Sequence, residues 1–293
     1  MIRLRRHLGP LLTCVPGVIW ISTFLVIPFL AIAVISVMSR GEYGEIQLPF
    51  TFGNYLRFLG YGTFGFDSVY PLIFARSFVL AAVTTALCVV TGLPLAFFIA
   101  RLGPKAKSFA LFLVIVPFWI NLLIRTYAWQ ILLAPNSWLS LLAFQFGIVE
   151  EGEGLYPGLF AVYLGNLCDY LPYFVLPLYA SVEKIDWRLA EAAMDLGAGN
   201  RSVFRHALLP QITPGLGAGV MLVFIPALGQ FVIPDLLGGA KTALLGNSIG
   251  QQFGPSRDWP FGSAISLVAM LIVMFGLWVY ARRAGEKGQE TFI

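Results

Sequence analysis

Three ionisable side chains lie within otherwise apolar stretches of the sequence: Arg125, Asp169 and Asp235. Charged groups inside a membrane are costly, so they mark candidate functional positions. Asn166, Asp169 and Tyr173 follow the spacing i, i+3 and i+7, which places them on one face of a helix. That face would offer an amide, a carboxylate and an aromatic ring to a cation crossing the membrane.

Carboxylates attract a cation by charge, and aromatic faces hold it by cation–π contact. A path for a flexible organic polycation should also bind weakly, because tight binding would trap the cargo. The residues with this chemistry are Asp169, Tyr170, Tyr173, Trp129 and Asp235. An alternative remains open, in which Arg125 joins Asp169 or Asp235 in an ion pair that only holds two helices together.

The elements that must position these residues are membrane helices. Only 12% of the 293 residues are charged and 58% are hydrophobic, whereas soluble domains carry about 25% charged residues. Backbone groups in lipid must be satisfied within their own segment, which favours helices. A helical crossing needs about 20 apolar residues. The sequence therefore predicts an all-α membrane protein with six transmembrane helices, at about 11–38, 73–100, 108–134, 156–181, 213–235 and 260–281.

The distribution of Lys and Arg predicts the orientation, because cytoplasmic loops carry an excess of both. Basic residues concentrate in the N-terminal tail, in the segments 101–107 and 182–212, and after residue 281. Six crossings then leave both termini in the cytoplasm. The first apolar stretch is longer than that of a signal peptide, so we expect it to remain as a helix. The same bias accounts for the net charge of +4 without nucleic acid as a partner.

Two loops predicted on the outer side, 39–72 and 236–259, are longer than a simple connection requires. Their Gly, Tyr and Trp content indicates some structure of their own. We expect short helices that lie beside the membrane and receive an external partner. The alternative is that both segments are only connectors.

Residues 182–212 form the longest segment predicted on the cytoplasmic side, and they contain a polar, basic stretch. Asp186 is placed to cap a helix rich in helix-forming residues. Gly197 and Gly199 would supply the backbone freedom for a turn out of that helix. A second short helix, over about 200–208, is then predicted to stop before the following proline.

The spacing within this segment resembles the EAA loop of the permease subunits of ATP-driven bacterial importers. The resemblance rests on a Glu-Ala-Ala triplet, a glycine four places after it and a Leu-Pro pair, namely Glu191, Ala192, Ala193, Gly197, Leu209 and Pro210. Ala207 departs from the family pattern, in which Ile is usual. The resemblance implies a helix that docks into a cleft on a separate ATPase, with Glu191 accepting hydrogen bonds. The alternative is an amphipathic helix resting on lipid headgroups.

Further segments are similar to the spermidine/putrescine branch of these permeases: 52–56, 125–129, 236–241 and 246–249. The resemblance implies the type I ABC importer permease fold in the bacterial inner membrane, with 1–293 as a single transmembrane domain and 182–212 as its coupling loop. It also implies a dimer of ATPase subunits inside, a second and distinct permease, and a periplasmic substrate-binding protein. The sequence has no Gly-x-x-x-x-Gly-Lys-[Ser/Thr] loop. ATP and Mg²⁺ would therefore be bound by the ATPase, and no cofactor is expected in this chain.

Other classes of function remain as alternatives. A permease for another small solute would carry the same loop, and an ion-coupled carrier or channel would work without an ATPase. A membrane-embedded enzyme is disfavoured, because His7 and His206 fall outside the apolar stretches and no metal-ligand or nucleophile motif appears. The three cysteines lie far apart in apolar stretches, which indicates packing rather than a metal site or disulfides.

Overall fold

The computed structural model describes residues 15–62, 65–150, 152–239 and 243–289. Within these residues the chain is predominantly helical, as predicted. The helices in chain order are α1 (Val15–Ser36), α2 (Gly53–Phe58), α3 (Val69–Arg101), α4 (Pro104–Trp119), α5 (Leu122–Leu133), α6 (Trp138–Gln145), α7 (Leu159–Val182), α8 (Trp187–Asp195), α9 (Asn200–Gly229), α10 (Val232–Leu237), α11 (Leu245–Phe253) and α12 (Trp259–Gln289). Two antiparallel hairpins pair β1 (Ser39–Arg40) with β2 (Ile46–Gln47) and β3 (Tyr61–Gly62) with β4 (Gly65–Phe66). The basic N-terminal tail with His7, the first residues of the predicted first span, and residues 240–241 of the 236–241 segment lie outside the described residues.

Five helical segments among the described residues are long and apolar enough to cross a membrane: α1, α3, α7, α9 and the Trp259–Arg282 part of α12. The bent pair of α4 and α5 adds a sixth crossing if the two count as one span. The predicted third span is therefore wrong as a single helix, because the chain bends by 98° between Trp119 and Leu122. The Asn121 side chain accepts a hydrogen bond from the Leu123 N–H at 2.9 Å, and this cap starts a new helix.

The second helix of the 182–212 segment begins at Asn200, as predicted, but it does not stop before Pro210. It continues without interruption as the membrane helix α9. In a π-helical turn over Phe204–Leu208, the N–H of Leu209 donates a hydrogen bond to the carbonyl of Phe204. Pro210 then lies in the first turn of the α-helical part that follows the π-helical turn.

The far end of α9 also differs from the predicted fifth span, 213–235. The helix ends at Gly229, and Asp235 lies on the separate short helix α10. Gln230 takes an extended conformation (φ −67°, ψ 130°), which breaks the helical path. Its side-chain oxygen accepts hydrogen bonds from the backbone N–H groups of Phe231 at 3.0 Å and Val232 at 3.3 Å, so it caps α10.

The chain divides into two compact units, with unit 1 comprising Met1–Leu72 and Asn247–Met274 and unit 2 comprising Ile73–Gly246 and Phe275–Ile293. In unit 2, the fully buried Phe174 of α7 contacts Gly92 of α3 and Gly219 of α9. A Cβ at Gly92 would lie 2.5 Å from the Phe174 ring, and one at Gly219 would lie 3.0 Å from it. Glycine at both positions therefore lets α3 and α9 pack closely on α7, the helix that carries Asp169.

Candidate functional site

Arg125 of α5 and Asp169 of α7 form an ion pair through Nη2 and Oδ1. Both side chains are only 14% exposed. Arg125 also donates from Nη1 to the backbone carbonyl of Pro117 at 2.8 Å. A single guanidinium thus joins the last turn of α4 and the start of α5 to α7. Of the two carboxylates considered for Arg125, the structure pairs it with Asp169.

The residues around Asp169 on α7 differ in exposure according to the face of the helix on which they lie. Asn166 is fully buried, Tyr170 is 5% exposed and Tyr173 is 41% exposed. The ring of Tyr173 meets that of Phe118 edge-to-face, with 4.7 Å between centroids. Tyr173 therefore lies on an exposed part of α7, Asp169 is mostly buried in its ion pair, and Tyr170 lies in the packed interior.

The other two residues of the predicted path occupy different surroundings. Trp129 of α5 packs against the apolar core cluster that includes Leu133 and Ile233. Asp235 is exposed on α10, and it is not on the helix of the predicted fifth span. The structure thus brings Arg125 and Asp169 together and places Trp129 in a core.

The helix α8 has the predicted N-terminal cap, and several of its apolar side chains are exposed. The Asp186 side chain accepts a hydrogen bond from the Arg188 N–H at 3.1 Å. Ala190 is buried, while Glu191 and Ala192 are exposed. Three large apolar side chains on or just after this helix are also well exposed: Leu189, Met194 and Leu196. An apolar surface of this kind in a polar segment is typical of a contact site for another molecule.

Gly197 ends α8 in a left-handed conformation, with φ +80°. Its N–H bonds to the Met194 carbonyl at 2.9 Å, and the N–H of Ala198 bonds to the Ala193 carbonyl at 3.0 Å. This pair of bonds is the Schellman motif, which favours glycine. Gly199 has φ −70° and open space around it, so its predicted role in the turn is wrong. Only Gly197 needs to be a glycine for this turn.

Gln211 is a positioning residue that the sequence analysis missed. Its side-chain oxygen accepts a hydrogen bond from the Asp186 backbone N–H at 2.9 Å, and its nitrogen donates to the Ala207 carbonyl at 2.8 Å. The start of α8 is thereby tied to α9, one residue beyond the Leu209-Pro210 pair. No local pattern marks such a residue, because its partner lies a full loop away in sequence.

A buried carboxylate in unit 1 was also missed. Asp258 is 2% exposed, and its Oδ2 lies 2.7 Å from Arg57 Nη1 and 3.6 Å from Arg40 Nη1. Its other oxygen accepts a hydrogen bond from the Phe261 N–H at 3.3 Å, so it caps the start of α12. The Arg57 guanidinium also lies over the Phe261 ring, 4.0 Å from its centroid.

The same unit holds an open cavity of about 750 Å³, lined among others by Asn54, Arg57, Tyr61, Asp67 and Tyr70. The short helices α2 and α11 lie in the loops 39–72 and 236–259, for which lateral helices were predicted. The predicted short helices are therefore present, whereas their position beside the membrane and their contact with an external partner stay predictions.

The sequence and the fold of this chain are both similar to those of known proteins. The family model described as "Binding-protein-dependent transport system inner membrane component" matches residues 92–282. The chain is similar to the spermidine/putrescine transport system permease protein PotB of Escherichia coli (strain K12), at 38% identity over 263 residues, which cover 90% of this chain and 93% of that protein.

Two solved structures share the fold. A chain of a bacterial ABC transporter involved in the import of the acidic polysaccharide alginate superposes with a TM-score of 0.67 at 16% identity, covering 96% of this chain and 97% of that one. The second is a chain of a bacterial alginate ABC transporter in complex with a periplasmic protein that carries an alginate pentasaccharide. It superposes with a TM-score of 0.63 at 15% identity, covering 93% of this chain and 94% of that one.

Proposed function

The chain belongs to the family of binding-protein-dependent transport system inner membrane components, and on that premise we propose that it is the membrane permease of an ATP-driven bacterial polyamine importer. The observation that carries the substrate class is the 38% identity to a spermidine/putrescine permease over 90% of this chain. A carboxylate within a membrane helix, one turn before the exposed Tyr173, supports the same cargo. The importer would move polyamine from a periplasmic binding protein to the cytoplasm.

The membrane arrangement of the proposal has six crossings, with α4 and α5 acting as one broken span. Both termini lie in the cytoplasm, which puts the basic segments 101–107 and 182–212 on the inner side. The whole chain, 1–293, acts as one transmembrane permease domain, and 182–212 is its coupling loop.

The coupling loop transmits the work of a separate ATPase dimer, which holds ATP and Mg²⁺. Exposed apolar side chains on α8 provide a surface for docking, and Glu191, Ala192 and Ala193 lie on the same helix. The Schellman turn at Gly197 sets the angle at which the chain leaves that helix. Because α9 runs unbroken from Asn200 through Leu209 and Pro210 into the membrane, movement of the loop moves that helix directly.

The proposed path for cargo runs past Asp169 and Tyr173. In the ion pair, the guanidinium of Arg125 binds the carboxylate of Asp169, and an ammonium group of a polyamine would bind it in the same way. A cationic cargo must therefore compete with Arg125, which keeps its binding weak. Tyr170, Trp129 and Asp235 remain candidates for other parts of the path: Tyr170 is buried on α7, Trp129 packs against the apolar core cluster, and Asp235 is exposed on α10.

The proposed outer partner is a periplasmic substrate-binding protein, and the loop 39–72 of unit 1 belongs to its contact surface. Asp258, Arg57 and Phe261 brace the start of α12, which gives that surface a firm support. A second permease, distinct from this chain, completes the pathway. ATP-driven closure of the ATPase dimer then opens the pathway outward, and hydrolysis returns it inward, on the microsecond-to-millisecond scale of domain motions or slower.

The test is uptake of labelled spermidine and putrescine into vesicles that contain this chain with its co-purifying subunits. Uptake should need ATP inside, the binding protein outside and the partner ATPase. Uptake by this chain alone, driven by an ion gradient, would replace the proposal with an ion-coupled carrier. ATP-dependent uptake of a different solute, with no response to polyamines, would retain the permease and overturn the substrate.

A further inference from the structure

A small cavity lies where α3, α4, α7 and α8 meet in unit 2. Its volume is about 320 Å³, and its lining residues are Ala100, Arg101, Lys107, Val182, Glu183 and Trp187. The lining comes from the last residues of α3, the first turn of α4, the end of α7 and the first residue of α8. The cavity therefore lies at the ends of membrane helices and directly beside the coupling helix.

The charged groups of this cavity leave a net positive charge. Lys107 Nζ pairs with Glu183 Oε1 at 3.1 Å, so these two charges offset each other. The Arg101 guanidinium lies over the Trp187 ring, 5.7 Å from its centroid. No carboxylate of the described residues lies within ion-pair distance of Arg101. An anion in the cavity would thus meet Arg101, and also the Lys107 ammonium, which has donors beyond the one that Glu183 uses.

An exposed apolar side chain precedes the cavity on α3. Phe98 is 60% exposed and lies one turn before Arg101, on the same side of the helix. Trp187 is itself 39% exposed. Tryptophan beside basic residues at the end of a membrane helix is typical of the level of the lipid headgroups.

We propose that this cavity binds the phosphate of an anionic phospholipid of the cytoplasmic leaflet, with an acyl chain lying along Phe98 of α3. Arg101 and Lys107 hold the phosphate by charge, and the indole N–H of Trp187 is a further donor. Basic pockets between membrane helices on the cytoplasmic side bind anionic headgroups in this way. The inference relies on the cytoplasmic placement of 101–107 in the proposed function. A lipid bound here supports the first residue of α8, so it stabilises the orientation in which the coupling loop meets the ATPase.

The test is titration of the purified full-length chain with phosphatidylglycerol, followed by native mass spectrometry. Phosphatidylcholine with the same acyl chains is the matched lipid, and inorganic phosphate alone is a third arm. Phosphatidylglycerol should bind in preference to phosphatidylcholine, and Arg101→Gln should weaken it by about fivefold, since each basic residue contributes about 1 kcal/mol near an anionic surface. Lys107→Gln provides a second variant with the same expected direction.

Lys105→Gln is the control, because Lys105 lies on the same first turn of α4 but does not line the cavity. It should leave phosphatidylglycerol affinity unchanged. An equal loss in this control, or no preference between the two lipids, would overturn the site. Full competition by free phosphate would assign the cavity to a soluble anion instead. Phosphatidylglycerol binding without polyamine uptake would overturn the proposed function alone, and uptake without a lipid preference would overturn this inference alone.

Discussion

Arg125 and Asp169 form an ion pair that links the broken α4–α5 segment to α7. The Arg125 guanidinium serves two partners, since it also donates to the carbonyl of Pro117 at the end of α4. Both side chains are largely buried, so removing one of them leaves the charge of the other buried without a partner. The pair thus has two possible uses, as a brace between helices and as the place where a cationic cargo competes, and substitutions can separate them.

Asp169→Asn should lower ATP-dependent polyamine uptake by roughly tenfold or more, because a hydrogen bond to a charged group contributes about 1.5–3 kcal/mol. Assembly should persist, since the amide still accepts a hydrogen bond from Arg125. The measurement is spermidine uptake in vesicles alongside recovery of the complex. The double variant Arg125→Gln with Asp169→Asn removes both charges and should also fail to restore uptake. Full uptake in Asp169→Asn would leave the ion pair with a bracing role only.

Gly197→Val should prevent docking of the ATPase or uncouple hydrolysis from uptake. The backbone at this position is left-handed, with φ +80°, and a residue with a Cβ pays about 1–2 kcal/mol there. The expected loss is in ATPase pull-down and in uptake per ATP hydrolysed. Gly199→Ala is the matched control, because its φ of −70° and the open space around it suit alanine. Survival of both docking and uptake in Gly197→Val would refute the assignment of this loop.

Gly219→Ala should destabilise unit 2, because the added Cβ would lie 3.0 Å from the ring and the carbonyl oxygen of Phe174. Overpacking of this kind costs about 1–3 kcal/mol. The midpoint of thermal unfolding should fall in the purified protein. Gly229→Ala is the control on the same helix, since a Cβ there meets nothing within 4 Å. Equal unfolding midpoints for the two variants would show that the contact between α9 and α7 has room for a Cβ, which would contradict this prediction.

Asp258→Asn should lower the stability of unit 1 by about 1–3 kcal/mol, the range for a buried charged hydrogen bond that loses its charge. Arg57 is 43% exposed, so water compensates part of the loss. The measurement is again thermal unfolding, together with binding of the periplasmic receptor. Arg40→Gln serves as comparison, because its contact with Asp258 is longer, at 3.6 Å, and should change stability by less than about 1 kcal/mol. A smaller effect for Asp258→Asn than for Arg40→Gln would contradict the role given to this carboxylate.

The amino-acid sequence by itself determined features that depend on near neighbours along the chain. Apolar runs long enough to span a membrane, the Asp186 cap and the glycine turn at Gly197 all follow from local composition and local hydrogen bonds. The resemblance to a permease loop likewise rests on spacing within one segment. Helix capping and hydrophobic length act over one or a few turns, so a linear pattern is enough to predict them.

Only the tertiary structure decided the features that join distant segments or depend on where a helix breaks. The choice of Asp169 over Asp235 for Arg125, the link of Gln211 to Asp186, and the burial of Asp258 each need two segments in contact. The sequence also did not predict the bend of 98° before Leu122 or the continuation of α9 through Pro210. A proline or an asparagine is compatible both with a break and with a continuing helix, so the linear pattern leaves the two outcomes open.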